Sequence, residues 1–266
     1  MPSEKYNVFR QYSFYSIKHM KNRHISLARI ILNGVLLATV VLSFPLSVSA
    51  VDEKRPNILF CIADDWGWPH ASAYGDPVCK TPAFDQIAKQ GILFTNAYIS
   101  APSCTPSRNA ILTGQYHWRL GWGANLHSML ETKHRTFPLL LQEAGYTVGH
   151  WRKAWGPGKL TNWTEEGKGN PAGPRFNGFD QFLDQWDRSK PFCFWLGAFD
   201  PHRGYKAGSG VASGMDLDQI KLFDHFPDSP TVRSDVADYY FEVQRFDRLV
   251  GDALTVLEKA GQLDNT

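Results

Sequence analysis

The chain predicts an α/β fold, a mostly parallel sheet with helices on both faces. Three observations carry that prediction. Two uninterrupted apolar runs, residues 57–63 and 192–199, each stop at an aspartate, Asp64 and Asp200. Runs of that kind suit strands buried on both faces, as a parallel sheet requires. From residue 51 onward, strand-like and helix-like patterns alternate, the order that places helices on a parallel sheet. A last long stretch, opened by Ser234 and closed by Gly261, repeats apolar residues at helical spacing.

The elements follow in order. Residues 1–50 read as an export segment. Residues 30–46 are largely apolar, Lys18, Lys21, Arg23 and Arg29 precede them, and Val48-Ser49-Ala50 is a small-residue cleavage pattern. The apolar stretch is short for a spanning helix and contains Asn33 and Pro45. Cleavage after Ala50 is therefore favoured over a membrane anchor through residues 30–46, and Met20 offers an alternative start. The mature domain, residues 51–266, is expected to be periplasmic or secreted. Within it, the apolar run 57–63 is the first strand. Thr81 and Pro82 open a helix through Lys89 that Gly91 closes. Residues 92–99 read as a strand. Thr105 caps the next helix, Pro106 fits its first position, Ala110, Ile111 and Leu112 face the core, and Gly114 ends it. Residues 136–144, with Pro138 near the start and Gly145 at the end, form another helix, and 146–150 a short strand. Residues 156–180 are rich in Gly, Asn and Pro and read as a loop; 192–199 is the second buried strand. Residues 203–233 form a long irregular connection, which in a compact domain is usually functional or disordered. Ser234 caps the final helix, whose apolar stripe is Val236, Tyr240, Val243, Val250, Leu254 and Leu257.

Composition narrows the function. The formal charge is +2 over 266 residues, which gives no electrostatic case for nucleic acid as a partner. Four cysteines do not make a disulfide framework; Cys61 and Cys193 sit inside apolar runs and read as buried thiols. Nine tryptophans are many for this length. Trp66, Trp68, Trp118, Trp122, Trp151 and Trp155 lie near candidate site segments, where aromatic faces suit sugar rings, although packing is their default role.

The chemistry concentrates at strand ends and at one helix start. Asp64 and Asp65 follow the first apolar strand, at the carboxyl end where open α/β sheets place ligands. Two adjacent carboxylates repel unless a cation joins them, and hard oxygen ligands select Ca2+ or Mg2+. Alone, the pair also reads as a solvated turn. Residue 104 falls at a helix N-terminus, where free N–H groups and the helix dipole favour an anion. Arg108, one turn further, adds a planar fork of donors suited to tetrahedral oxyanions.

The run Cys104-Thr105-Pro106-Ser107-Arg108, followed by Thr113-Gly114, has the spacing C-x-P-S-R-x4-T-G. On it, and on Asp64-Asp65 upstream, the chain resembles the sulfatase family from about Asn57 to its end. The resemblance implies an alkaline-phosphatase-like α/β fold and oxidation of Cys104 to formylglycine by a formylglycine-generating or sulfatase-maturating enzyme. It implies Ca2+, or Mg2+ in its place, held by Asp64, Asp65 and residue 104. Lys153, in Lys153-Ala154-Trp155-Gly156, matches the lysine that binds a sulfate oxygen; the histidine that the family carries two residues later is Trp155 here, with Arg152 and His150 as nearby substitutes. His202, in Asp200-Pro201-His202-Arg203, matches the histidine near the leaving-group oxygen, and an imidazole can donate a proton there near neutral pH. Arg203 is placed to meet a second acidic group of the substrate. That motif, with Arg245-x-Asp247 and the segment 261–266, narrows the resemblance to heparan N-sulfatase (sulfamidase) and its bacterial sulfatase relatives. The catalytic residues implied are Cys104, Arg108, Lys153 and His202, acting on a sulfated carbohydrate.

Against the same family, the chain stops at Asp264-Asn265-Thr266, before the strand and the Asp-Asn or Asp-His pair that complete the metal shell. The expectation is a C-terminally truncated sulfatase with an incomplete sheet. In it the strand 192–199 lacks its downstream neighbour and the metal is under-coordinated unless Asp76 or Asp200 contributes, so the product has no turnover by itself. Two alternatives stand beside the sulfatase reading: a phosphoester or phosphonate hydrolase of the same superfamily, and an inactive sulfatase-like fragment.

Overall fold

A computed structural model describes residues 55–266; the export segment lies outside them. The strands are β1 (Ile58–Ile62), β2 (Thr147–Trp151) and β3 (Phe192–Gly197). They form one parallel sheet in the order β1-β3-β2, with Ile58 beside Cys193 and Thr147 beside Phe192. The helices are α1 (Pro82–Gln90), α2 (Cys104–Thr113), α3 (Phe137–Glu143), α4 (Thr161–Glu165), α5 (Phe179–Gln185), α6 (Ser209–Ala212) and α7 (Pro230–Lys259).

Strand alternation divides the core into two layers. Phe192, Phe194 and Leu196 of β3 pack against Phe179, Phe182 and Leu183 of α5 and against Phe246, Val250, Ala253 and Leu257 of α7. Trp195 points the other way, to Leu112 of α2, Phe137 and Phe60. Every residue of β3 is buried, and each fully buried large apolar side chain contributes roughly 1.5–3 kcal/mol. The sheet is therefore parallel, with helices on both faces, as the sequence predicts.

Several local expectations are corrected. Strand β1 is half-buried along its length rather than enclosed on both faces, because among the described residues it pairs only with β3. Strand β3 does not lack a neighbour: it is hydrogen-bonded on both sides. Residues 92–99 form no strand; Ile92, Phe94, Tyr98 and Ile99 are exposed, and no described strand pairs with that backbone. The loop 156–180 holds the short helix α4, and the connection 203–233 holds α6. Helix α7 starts at Pro230, capped by Ser229, whose hydroxyl accepts from the Val232 N–H at 3.3 Å. Ser234 lies inside the helix, since Pro230 supplies the better first position.

Helix α7 also carries acids into the interior. Asp238, Glu242 and Asp247 are buried with its apolar stripe. Asp247 accepts the N–H groups of Ala83 and Phe84 at 3.1 and 2.8 Å, and so satisfies the start of α1. Asp238 does the same for Gly208 and Gly210, at 2.9 and 2.8 Å, around the start of α6. These contacts fix the loops around the sheet's carboxyl edge. Among the described residues no helix is long and apolar enough to cross a membrane.

Candidate functional site

The site residues gather where β1 and β3 end and where the loop after β2 crosses them. The Asp64 N–H donates to the Asp200 carbonyl at 2.9 Å, which ties the two strand ends together. The Asp64 side chain is buried, with Oδ1 3.1 Å from Nη2 of Arg108 and Oδ2 in contact with Nζ of Lys153. Two cations thus compensate one buried carboxylate, as burial of a charge demands.

Arg108 does more than face an anion. Its Nη1 donates to the carbonyls of Lys153 and Ala154, at 2.6 and 3.3 Å. With only 3 % of its side chain exposed, its donors clamp the 153–156 loop and Asp64 to α2. Gly197 at the end of β3 permits the same approach. A Cβ there would lie 2.0 Å from the Lys153 carbonyl oxygen, a distance no side chain tolerates.

Cys104 is the first residue of α2, half-buried, and the helix ends at Gly114 in the left-handed region (φ 65°). The cap expected from Thr105 is corrected. Ser103 is the N-cap residue, and the Thr105 hydroxyl reaches the Pro157 carbonyl instead, holding the far side of the same loop. Trp155 fits this arrangement: its indole N–H donates to Oδ1 of Asn109 on α2 at 3.0 Å. It serves as a brace where the family has a histidine. Neither proposed substitute stands at that place. His150 is buried in β2, with its basicity lowered chiefly by burial, and Arg152 lies over the Trp151 ring at 4.4 Å.

Asp65 adopts a left-handed backbone (φ 68°), which Asp tolerates better than most residues. Its exposed carboxylate lies 3.7 Å from Nε2 of His202. Nδ1 of His202 is 2.9 Å from the Arg203 carbonyl. A carbonyl only accepts, so Nδ1 is a donor here and Nε2 is the atom turned to the site. Ligand atoms of Asp64, Cys104 and His202 lie within 4.8 Å of one another.

Two clefts meet at Asp64. One, about 470 Å³, is lined by Asp65, Cys104, Ser107 and Arg108. The other, about 440 Å³, is lined by Lys153, Asp200, His202, Glu242 and Arg245. Glu242 was not expected from the sequence, and Arg245 entered only as part of the resemblance, with no place at the site. Arg245 joins Glu242 at 2.6 Å and Asp200 at 3.6 Å, and burial, the largest influence, pushes the Glu242 carboxyl up. The available signal was an acid inside the buried stripe of an amphipathic helix. Asp76, the other reserve carboxylate, accepts the N–H groups of Val78 and Cys79 and lines neither cleft.

Arg203 departs from its expected freedom. Its guanidinium is paired with both oxygens of Asp235, at 2.8 and 2.6 Å. Of the remaining thiols, Cys193 is buried as expected, Cys61 is half-buried like the rest of β1, and Cys79 is buried. Cys61 and Cys193 are pushed up to about 12 by burial, and Cys79 further still, again chiefly by burial. Of the tryptophans, Trp66 packs into the core, whereas Trp68, Trp118 and Trp122 are exposed.

The site fits a hard divalent cation by the chemistry of its donors. Two adjacent carboxylates stand at a strand end beside residue 104, oxygen donors of the kind such a cation takes, and a bound ion would share Asp64 with Arg108 and Lys153, which engage its two oxygens here.

Comparison with known proteins agrees in kind. The family model described as Sulfatase matches residues 56–266. An N-acetylglucosamine-6-O-sulfatase from Bacteroides thetaiotaomicron is 32% identical over 179 residues, 58% of this chain and 32% of that protein. The N-sulphoglucosamine sulphohydrolase of Homo sapiens is 33% identical over 259 residues, 83% of this chain and 51% of that protein. The chain thus spans about a third to a half of these relatives. The phosphonate monoester hydrolase of Agrobacterium radiobacter shares the fold, with a TM-score of 0.65 at 15% identity over 80% of this chain and 61% of that one.

Proposed function

Since the chain belongs to the sulfatase family, we propose that its site is that of an enzyme hydrolysing sulfate esters or sulfamates of a sulfated carbohydrate, with a nucleophile made from Cys104. The observation that carries this is the convergence of Asp64, Cys104 and His202 within 4.8 Å at the carboxyl edge of a parallel sheet. In this reading, an oxidising maturation enzyme converts the Cys104 thiol to formylglycine; one hydroxyl of its hydrate would attack sulfur and release the sugar hydroxyl or amine, and the other, once deprotonated, would expel sulfate by re-forming the aldehyde. Asp64, Asp65 and residue 104 would hold Ca2+, or Mg2+ in its place, which would supply withdrawal of charge from the sulfate oxygens. Lys153 orients the sulfate group. Arg108 acts as a positioning residue through the clamp it makes on Asp64 and the 153–156 loop. His202 offers Nε2 to the leaving-group oxygen.

The identity to an N-acetylglucosamine-6-O-sulfatase and an N-sulphoglucosamine sulphohydrolase supports a sulfated amino sugar as the reacting unit. The maturation enzyme and the export machinery are the protein partners of this reading. It places residues 51–266 in the periplasm or outside the cell after removal of residues 1–50.

The test is release of inorganic sulfate from glucosamine 6-sulfate and N-sulfoglucosamine by matured protein, with Cys104→Ala as the control. Sulfate from the matured protein alone supports the reading. Faster release from a phosphonate monoester would favour the phosphohydrolase alternative. No release with the aldehyde in place would favour the inactive fragment. Bound calcium, measured by elemental analysis, should fall in Asp64→Ala; unchanged calcium would remove the ligand assignment.

A further inference from the structure

The ring of His202 has little of its own to hold it. Its side chain is 47 % exposed, and Nε2 lies 3.7 Å from Asp65, too long for a hydrogen bond. Nδ1 bonds to the carbonyl of the next residue, Arg203, at 2.9 Å. That bond orients the ring relative to its own backbone. Nε2 therefore stays on the site only if the 200–203 turn itself stays in place.

The turn hangs from α7 at both ends. After His202, the Arg203 guanidinium pairs with both oxygens of Asp235, at 2.8 and 2.6 Å. Before it, Oδ2 of Asp200 lies 3.6 Å from Nη2 of Arg245, while the Asp200 carbonyl accepts the Asp64 N–H. Arg245 is fixed in turn by Glu242 on the same helix, where Nη1 donates to Oε2 at 2.6 Å. Asp235 and Arg245 stand roughly 15 Å apart along the helix, at about 1.5 Å per residue, so the two grips bracket the turn.

The two grips are unequal. Both members of the Arg203–Asp235 pair are exposed, and exposed pairs contribute little. The acids that Arg245 joins are mostly shielded: the Glu242 side chain is 8 % exposed and that of Asp200 18 %. Without the guanidinium, these two carboxylates would be left to repel each other in a partly buried cleft, and the turn would shift to separate them.

We propose that Arg245, held by Glu242, is a positioning residue for His202: through Asp200 it fixes the 200–203 turn so that Nε2 faces the centre formed with Asp64 and Cys104. What the positioned His202 then does rests on the reading of that centre as a sulfatase site; the placement of the ring does not.

Nitrogen-15 NMR of the histidine rings in the full chain tests it without turnover. At about pH 8.5 an ordinary imidazole is neutral, and the spectrum reads which nitrogen carries the proton; His202→Gln assigns the signal. Wild type should show the proton on Nδ1. Arg245→Ala should lose that signature and give the averaged shifts of a ring that exchanges between tautomers. Glu242→Gln keeps the shape of the side chain and should shift the signal the same way by less, and Arg245→Lys should restore most of it. Arg248→Ala, an exposed cation on the same helix, should change nothing. An unaltered His202 signal in both Arg245→Ala and Glu242→Gln, changes spread over all nine histidines, or a wild type without the proton on Nδ1 would overturn the proposal. Where sulfate release is measurable, Arg245→Ala should lower kcat on a sulfated sugar by roughly tenfold to a hundredfold, with KM nearly unchanged; a rise in KM alone would also overturn it. Absence of sulfate release by wild type would remove the sulfatase reading and leave the NMR result to decide the placement.

Discussion

At the scale of single residues, Cys104 at the start of α2 stands apart from three thiols whose protonated form burial favours. Burial holds Cys61 and Cys193 at about 12, with Cys79 raised further. A raised value keeps the thiol protonated, and only the thiolate is a good nucleophile. Iodoacetamide at about pH 8 should therefore label Cys104 of unmatured protein first. Peptide mapping that shows Cys61 or Cys193 alkylated as fast as Cys104 would contradict this. For His202, the hydrogen bond from Nδ1 leaves Nε2 to face the leaving group. His202→Ala should slow a sulfated sugar by roughly 10²–10⁴-fold but an activated aryl sulfate far less, because a good leaving group needs no proton. Equal losses on both substrates would make His202 a positioning residue.

At the scale of elements, α7 is the spine that the other parts hang from. Its acids face inward to serve helix starts and the cleft, so their role is tertiary. Burial pushes the Asp247 carboxyl up, while the N–H groups of Phe84 and Ala83 work against that shift. Asp247→Ala should destabilise the fold by about 1–3 kcal/mol, since two N–H groups at the start of α1 lose their acceptor. Urea unfolding measures this; an unchanged midpoint would mean that water replaces the carboxylate freely. The sequence showed Arg245-x-Asp247 as part of a resemblance, yet gave no local reason for it. The reason lies some 160 positions away, in the contact with Ala83 and Phe84, which no helical periodicity encodes. Helix starts were readable at Pro82 and Pro138, whereas Pro106, expected at a first position, is the third residue of α2. Ser234 has the chemistry of a cap, but the Ser229-Pro230 pair starts the helix.

At the scale of the whole molecule, the two apolar runs and the alternation were enough to read a parallel sheet with two helical layers. Their ranking within the sheet was not readable. Runs 57–63 and 192–199 look alike as sequences, and only the order β1-β3-β2 makes one an edge and the other the centre. Residues 92–99 have strand-like composition but, among the described residues, no pairing partner. The candidate site was legible as residue types at strand ends and a helix start. The clamp of Arg108, the need for Gly197 and the engagement of Arg203 by Asp235 were not, because each depends on segments distant in sequence meeting at one edge. The central claim is that Cys104 is the precursor of the nucleophile. Co-expression with an active formylglycine-generating or sulfatase-maturating enzyme, followed by peptide mass spectrometry across residue 104, tests it most directly. The account predicts an aldehyde or its hydrate at that residue, absent in Pro106→Ala where the recognition run is broken. Thiol alone at residue 104, while a control peptide in the same cells is converted, would contradict it.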